Sequence, residues 1–524
     1  MQSTFLGLET SKRGILTQRV ALNTLGHNIS NASTEGYSRQ RVNMTSSIPM
    51  EALGLQRSNT PGQLGTGVEY SHIERVRDSY LDLQYRRENQ SLAMWTTHES
   101  AIHSIEALIN EPSGNGLSSV MDKFWNSLEV LNRDPGLLSA RIDVVGSAVN
   151  MVDTMKGIGT GLDSIEFDVA NNIDKKVSQA NILIEGIAEL NVLIRRTEAF
   201  GDNANDYRDQ RDLMIDKLST IVDVQVAETP AGDFSITAAG VNVVNNEATV
   251  LLTAANATVA TAGELAGYQK ALGEVELIRN QLNAMVNTLV QGSFTVRLEN
   301  GYMTSGPMTA QNNVTLEGGA VILAGVTIPA GSKIISAVEF EVQGFNGLHE
   351  LGYGLPDGTT GVPFFTTADG STTFNIDNIR VNPVVQNDTN KIAASGQYEL
   401  DGTNRVTIKG NSDIAHALAS LRDHAFTYPG NLTSLSSGTT DDYFRALTGD
   451  LGIRSNNANR NMENLENLTD QINIRRQSVS GVSLDEEMAD LIRFQHAYNA
   501  AARNLTAVDE MLDRVINQMG IVGR

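Results

Sequence analysis

Apolar residues recur every seven positions near the start of the chain, at Leu8, Ile15, Leu22 and Ile29, with Phe5 and Leu25 between them. That spacing predicts a helix over residues 3–30 with one apolar stripe. Gly7, Gly14 and Gly26 fall inside it, each costing ~1 kcal/mol relative to alanine, so this helix needs a partner. Near the other end, Leu491, Phe494, Tyr498, Ala501, Leu505, Val508, Leu512, Val515 and Met519 step by threes and fours without a break. Such a row is the seam of a coiled coil. Ser483 followed by Glu486 reads as a capping box at its start, and Gly520 reads as its stop. The helix is roughly 55 Å long, and the N-terminal stripe is the natural cover for it.

Between the ends the periodicity predicts a mainly helical body. Helices are expected over Asp78–Ile109, Ile173–Thr197, Asp206–Ser219, residues 264–290 and from Tyr443 to Arg476. Val222, Val224 and Val226 alternate with polar residues and lead into a turn at Pro230-Ala231-Gly232-Asp233, a strand signal. From about residue 293 to 438 the character changes to Gly, Thr, Val and Asn. Strands are expected there at Phe294–Leu298, Ala320–Ile328, Ala337–Val342 and Thr372–Ile376. The fold class that follows is mixed α and β: long helical coiled-coil termini, a mainly helical body and an inserted β-rich outer domain. The expected domains are residues 1–60 with 480–524, residues 61–290 with 440–479 including a small β element near 221–260, and residues 291–439.

The chain has 524 residues, with 39 Lys+Arg against 61 Asp+Glu and a net charge of -22. A surface that acidic repels phosphate backbones and anionic lipids, so neither nucleic acid nor a membrane surface is an expected partner. The absence of cysteine excludes disulfides, thiolate nucleophiles and Cys-ligated zinc. Glu9, Lys12, Arg13 and Arg19 break the apolar positions of residues 1–21, so no secretory signal is expected there. No run approaches the ~18 apolar residues of a membrane span.

Catalytic and ligand motifs are weak. His98 and His103 flank Glu99 but stand five apart, ~140° around a helix, and cannot close on one metal. Gly157-Ile158-Gly159-Thr160-Gly161 lacks the strand and lysine of a phosphate loop. Asp202-Asn203-Ala204-Asn205-Asp206 has Tyr207 where a calcium loop needs glycine, and reads as a solvated loop. Asp357, Asp369, Asp377 and Asp388 are spaced like turn residues. No catalytic residue, metal or cofactor is expected. His27 and His496 read as packing or surface residues, and Arg86-Arg87-Glu88 and Arg475-Arg476 as solvated faces or ion-pair partners.

Just after the first helix stand Asn28, Ile29, Ser30, Asn31, Thr34, Gly36, Tyr37 and Arg39. By themselves these residues end a helix in a shaped turn: Asn and Ser favour helix ends, and glycine permits positive φ. Together they resemble the N-terminal signature of the flagellar axial proteins, the rod, hook and hook-associated proteins. Asp206–Val226, with Asp209-Gln210-Arg211-Asp212, and the run from Leu484 to Met519 resemble segments of the hook-associated members. The resemblance covers residues 1–290 and 440–524 and leaves the β-rich insert unmatched.

The resemblance implies a structural protein of the bacterial flagellum, not an enzyme. It implies that the chain joins hook to filament by polymerising at the hook tip through its paired terminal helices. The implied partners are other copies of itself in a ring or helical layer, the hook protein, a second junction protein, and an export chaperone near the C-terminus. The implied location is extracellular, reached by flagellar export without a cleaved signal peptide. Flagellin also has nested helical termini but lacks the Asn31-to-Tyr37 turn. A secreted adhesin or hydrolase displaying residues 293–438 would need a carboxylate or metal cluster in that insert.

Overall fold

The computed structural model describes residues 5–48, 65–111, 113–114, 116–229, 232–402 and 404–518. Met519, Gly520 and the turn residues Pro230 and Ala231 lie outside the described residues. The chain opens with α1 (Leu6–Ser30), the hairpin β1 (Gln40–Ser46) and β2 (Val68–Arg75), then α2 (Ser79–Ile109), α3 (Leu117–Arg133), α4 (Leu138–Glu198) and α5 (Asn205–Ile221). Next come β3 (Val224–Glu228), β4 (Phe234–Ala238), β5 (Val241–Asn245), β6 (Ala248–Thr249), the short α6 (Ala254–Ala257) and α7 (Gly263–Gln291). The β-rich stretch holds β7 (Ser293–Leu298), β8 (Met308–Thr309), β9 (Val314–Thr315), β10 (Val321–Ile322), β11 (Thr327–Ile328) and β12 (Val338–Gln343). Then follow α8 (Gly344–Leu351), β13 (Phe365–Thr367), β14 (Ile379–Val381), α9 (Pro383–Asn387), β15 (Tyr398–Asp401) and β16 (Asn404–Thr407). The chain closes with α10 (Asp413–Ser420), β17 (Phe426–Thr427), β18 (Ser437–Gly438), α11 (Thr440–Ser480) and α12 (Leu484–Asp513), which ends in a π-helical turn at Arg514–Gln518. The fold is thus mixed α and β, with long helices at both termini and short β pairs inserted between helices.

The residues group into two compact units. The first comprises Met1–Thr96, Ile173–Gly267 and Asn461–Arg524. Its core joins Val177, Ala180, Ile184 and Ile187 of α4 to Ile215 and Leu218 of α5 and to Ile236, Val243 and Val244 of the antiparallel sheet β3-β4-β5-β6. The second comprises Thr97–Asn172 and Tyr268–Arg460. Phe124, Phe345, Phe364 and Phe365 pack there with ring centroids 4.9–6.4 Å apart, the edge-on spacing that aromatic quadrupoles favour.

Four local expectations need correction. Ala320–Ile328 is not one strand. It is β10 and β11 separated by a turn in which Gly325 has φ +79° and Val326 N donates to Leu323 O (3.1 Å). Thr372–Ile376 forms no strand, because the amides of α7 take over its backbone. Asn283 Oδ1 accepts from Ile376 N (3.0 Å) and Asn287 Oδ1 from Phe374 N (3.4 Å). Asp202–Asp206 is solvated only in part. Asp202, Asn203 and Asp206 are exposed, but Asn205 is buried, and its Nδ2 donates to Ile73 O (3.0 Å), as does Asn203 Nδ2 (2.9 Å). Finally, α4 is long and apolar enough, by length and composition alone, to cross a membrane. Val144, Ala148, Met151, Met155 and Leu162 from it are buried in the second unit, so its apolarity serves packing.

The insert's aspartates act locally. Asp357, Asp369 and Asp388 each accept the backbone N–H two residues on, at 3.2, 3.0 and 3.1 Å, the pattern of Asx turns. Asp377 pairs with Arg279 at 3.2 Å.

Candidate functional site

α1 and α12 run antiparallel. A Cβ on Gly7 would sit 3.2 Å from Val508, and one on Gly14 would sit 3.5 Å from Ala501. Between them Asn504 Nδ2 donates to Ser11 Oγ (2.9 Å), and at the far end Asn28 meets Glu487. Each seven-residue step along α1 matches a seven-residue step back along α12. The contact line on α1 is therefore Gly7, Ser11, Gly14, Gln18, Ala21, Leu25 and Asn28, a row spaced four and three like any coiled-coil seam but made of small and polar residues. Gly7 and Gly14, which weaken α1 alone, let α12 approach closely, whereas Gly26 faces open space.

The apolar stripe Leu8, Ile15, Leu22 and Ile29 lies beside that line and is half-buried. On α12, Leu491, Phe494, Tyr498, Leu505, Val508 and Leu512 are half-buried, and Val515 is exposed. Leu8, Ile15, Leu16 and Leu505 line a groove of ≈ 470 Å³. Within α12 only Glu487 is buried, while Leu484, Met488, Ile492 and Met511 are exposed.

The motif residues of 28–39 hold the two helices at one end. The turn closes by Thr34 N to Asn31 O (2.9 Å) and Tyr37 N to Thr34 O (3.2 Å), with Thr34 Oγ1 on Asn31 Oδ1 (3.2 Å). Gly36 has φ +79°, and a Cβ there would lie 3.0 Å from Leu213. Asn28 uses its whole amide. Oδ1 accepts from Tyr37 O–H (2.8 Å) and Gln40 N (3.0 Å), and Nδ2 donates to Gln40 O and Glu487 Oε2 (2.9 Å each). Arg39 Nε donates to Glu487 Oε1 (2.7 Å) and Nη1 to Glu486 Oε2 (2.9 Å), while Arg39 N donates to Ser480 O (2.8 Å) at the end of α11. Glu486 is thereby drawn to Arg39, and Ser483, although at the N-cap, makes no side-chain cap; the expected capping box does not form. Burial first, then Asp206, Asp209 and Glu487, pushes the Tyr37 hydroxyl far above the ordinary phenol value. It stays a donor at any physiological pH.

Below the turn lies a balanced ion cluster. Asp212 meets Arg75 (2.9 Å), Arg77 (3.3 Å) and Arg86 (3.2 Å); Asp216 meets Arg86 (2.6 Å) and Arg476 (2.5 Å). Asp82 takes Arg77 and Arg476 at 2.6 Å each, and Asp209 takes Arg75 (2.8 Å) and Ser38 N (2.9 Å). Burial alone would raise the Asp212 carboxyl, but Arg77, Arg75 and Arg86 outweigh it and hold it well below the usual range. Burial prevails at Asp209, which is raised despite Arg75. The cluster fixes α5, α11 and the hairpin exit as one block. His27 Nε2 lies 3.3 Å from Asp206 on the surface, and His496 is exposed. Among the described residues no group of three His, Cys, Asp or Glu side chains could hold a metal ion.

Gly36→Ala is expected to destabilise the first unit by ~1–2 kcal/mol, the cost of left-handed backbone for a residue with a Cβ. Urea unfolding of the full chain measures it, and an unchanged midpoint would show that the turn relaxes freely.

The arrangement defines a class: a chain whose two ends pair as long helices, locked by a shaped turn, with their outer face open. Residues 102–365 match the family described as flagellar hook-associated protein FlgK helical domain, and residues 476–519 match the C-terminal region of the flagellar basal body rod FlgEFG proteins. The chain is 33% identical over 530 residues, covering 100% of both proteins, to flagellar hook-associated protein 1 of Bacillus subtilis. It is 26% identical to the protein of that name from Salmonella typhimurium, covering 96% of this chain and 98% of the relative. The solved structure of the flagellar hook junction protein FlgK from Burkholderia pseudomallei aligns at 12% identity and TM-score 0.49, covering 76% of this chain and 100% of that one. The chain belongs to the flagellar hook-associated protein 1 family.

Proposed function

We propose that this chain is the structural subunit that joins the flagellar hook to the filament, and that it does so without catalysing a reaction. The observation that carries the reading is the half-covered helix pair. α12 buries one residue of its own, a glutamate, and leaves Leu484, Met488, Ile492 and Met511 exposed. Such a face is stable only when further copies cover it. Packed side by side, α1 and α12 of successive copies bury those rows, gaining ~1–3 kcal/mol for each fully buried side chain against the entropy of ordering the helix. Near balance between these terms makes the ends order on assembly. Residues 1–60 with 480–524 are the assembly domain, with Leu8, Ile15, Leu22, Ile29, Leu491, Phe494, Tyr498, Leu505, Val508, Leu512, Val515 and Met519 at its seams. Residues 61–290 with 440–479 form the body, and 291–439 the insert.

Its partners on this reading are its own copies, the hook protein, a second junction protein, and an export chaperone near the C-terminus. Its location is outside the cell, reached by flagellar export without cleavage of a signal peptide. Electron microscopy of cells lacking the gene, with the gene restored as control, tests the assignment. Complete hooks without filaments, and filament subunits shed into the medium, are expected. Missing hooks would point to a rod or hook role, and normal filaments would overturn the structural reading.

A further inference from the structure

Among the described residues, strand β7 pairs with β12 alone. Phe294, Val296 and Leu298 point into the core, and Ser293, Thr295 and Arg297 point out. Side chains of one strand alternate between two faces. A groove lined by six consecutive residues, Phe294 to Glu299, must therefore run along the strand's edge. This groove holds ≈ 420 Å³, and its other wall is one face of α10 and the turn after it: Ser412, His416, Ala417, Ser420 and His424. Among the described residues no backbone or side chain bonds the outer edge of β7. An unpaired strand edge facing a helix wall across a groove accepts an extended segment as an added strand, with main-chain hydrogen bonds giving affinity. The six residues of β7 offer ~20 Å of edge. Ser412, Ala417 and Ser420 leave room for an incoming side chain, and the His424 and Phe294 rings, 4.8 Å apart, form a shelf at one end.

The chain also carries a segment suited to fill such a groove. β10 pairs through only two residues, with β9. Val321 and Leu323, on and just after it, are 60% and 61% exposed, before the chain turns at Leu323–Val326. Apolar, strand-forming and open at the edge, this is the kind of segment that adds to another sheet unless covered. Residues 318–332 contain no charged side chain. In a molecule of net charge -22, neighbouring copies repel one another, and an uncharged strip is where close approach costs least.

We propose that the β10 hairpin of one copy docks as an added strand on the free edge of β7 in the adjacent copy, against α10. Donor and acceptor are different surfaces of the same chain, so the contact is head-to-tail and propagates around a ring or along a helix. A strand of about four residues buries far less than the ~1,200 Å² of a stable interface. The contact therefore forms only where assembly already sets copies side by side, and it rests on the assembly reading above.

The chain has no cysteine, so introduced thiols have no background. Thr295→Cys and Leu323→Cys are placed together in the full chain, expressed in flagellated cells lacking the native gene. Isolated hook–filament structures are then treated with a short bismaleimide. The expected result is a ladder of linked copies from the double variant and none from either single variant. Adding Ser420→Trp, which fills the groove from an exposed position, is expected to remove the ladder while the chain stays in the hook fraction. Assembled structures that contain the double variant but give no ladder would overturn the proposal. So would a ladder indifferent to Ser420→Trp, or Thr295→Cys alone linking to a protein of another mass. Absence of the unaltered chain from the hook fraction would instead sink the assembly reading.

Discussion

Arg39→Ala is expected to destabilise the first unit by ~3–5 kcal/mol, the cost of leaving one member of a buried ion pair without its partner. Glu487 is 0% exposed and receives Arg39 Nε at 2.7 Å and Asn28 Nδ2 at 2.9 Å. Without the guanidinium, the carboxylate loses its charged partner and keeps the neutral Asn28 donor. Because Glu487 is the one buried residue of α12, loosening it frees the first turn of the helix from its seat. Arg39→Ala with Glu487→Gln separates the causes. Glutamine can still accept from Asn28 and carries no charge to desolvate, so the double variant should recover most of the loss. Urea unfolding of the full chain and hydrogen exchange at residues 484–491 read both. Equal midpoints for all three proteins would show that α12 is not seated on Glu487 in the free chain.

Acid is expected to weaken the second unit well before ordinary carboxylates titrate. His349 on α8 is 1% exposed, and burial, reinforced by nearby Arg141, pushes its pKa down to about 4 although Val362 O opposes the shift. The hydrogen bonds define the neutral form. Nε2 accepts from Ala393 N (2.9 Å), so Nδ1 carries the proton and donates to Val362 O (2.6 Å). The unfolded chain takes up its proton near pH ~6.5, whereas the folded chain resists until about 4. Stability is therefore full above ~6.5 and falls as the pH drops toward the folded value, by about 3 kcal/mol from this one group. Arg141, whose own pKa burial lowers to about 10, stays charged throughout and donates to the Pro135 and Ile392 carbonyls at 2.7–2.9 Å. Denaturant midpoints between pH 7 and 4.5, with the His349 ring followed by NMR, test this. A ring that titrates near 6.5 in the folded chain would refute it.

Both sites illustrate what a single chain read by pattern can and cannot deliver. Asn28, Asn31, Thr34, Gly36, Tyr37 and Arg39 were legible as a turn because each has a local reason to be there: helix-ending amides, a left-handed glycine, a ring with a polar tip. Their partner Glu487 was not, because it lies 448 residues from Arg39 and in sequence looks like one more acid in the first turn of a helix. The ion cluster was half legible. Arg86 and Arg476 read as solvated faces or ion-pair partners, and only the fold shows that Asp82, Asp212 and Asp216 are the partners. The contact line Gly7, Ser11, Gly14, Gln18, Ala21, Leu25 and Asn28 did leave a trace, a four-three spacing of mostly small residues. A search for apolar stripes passes over it.

By itself the sequence determined what depends on neighbours a few residues away. Helix extents follow from stretches without breakers, as in α2, which runs from Ser79 to Ile109 without Gly or Pro. Turns follow from Gly and Asp, as at Gly36 and Asp357, and the helical ends with a β-rich insert follow from composition. The tertiary structure decided whatever depends on which distant groups meet. Asn283 and Asn287 took the backbone of residues 374–376 away from a strand, and Ile73 drew Asn205 inward. Glu486 turned from a cap to Arg39, and α12 came to rest on Gly7 and Gly14, with the leucine stripe half-buried beside them. Local bias is worth tenths of a kcal/mol to about one per residue, while a buried amide or carboxylate without a partner costs several. Where the two compete, the long-range partner wins.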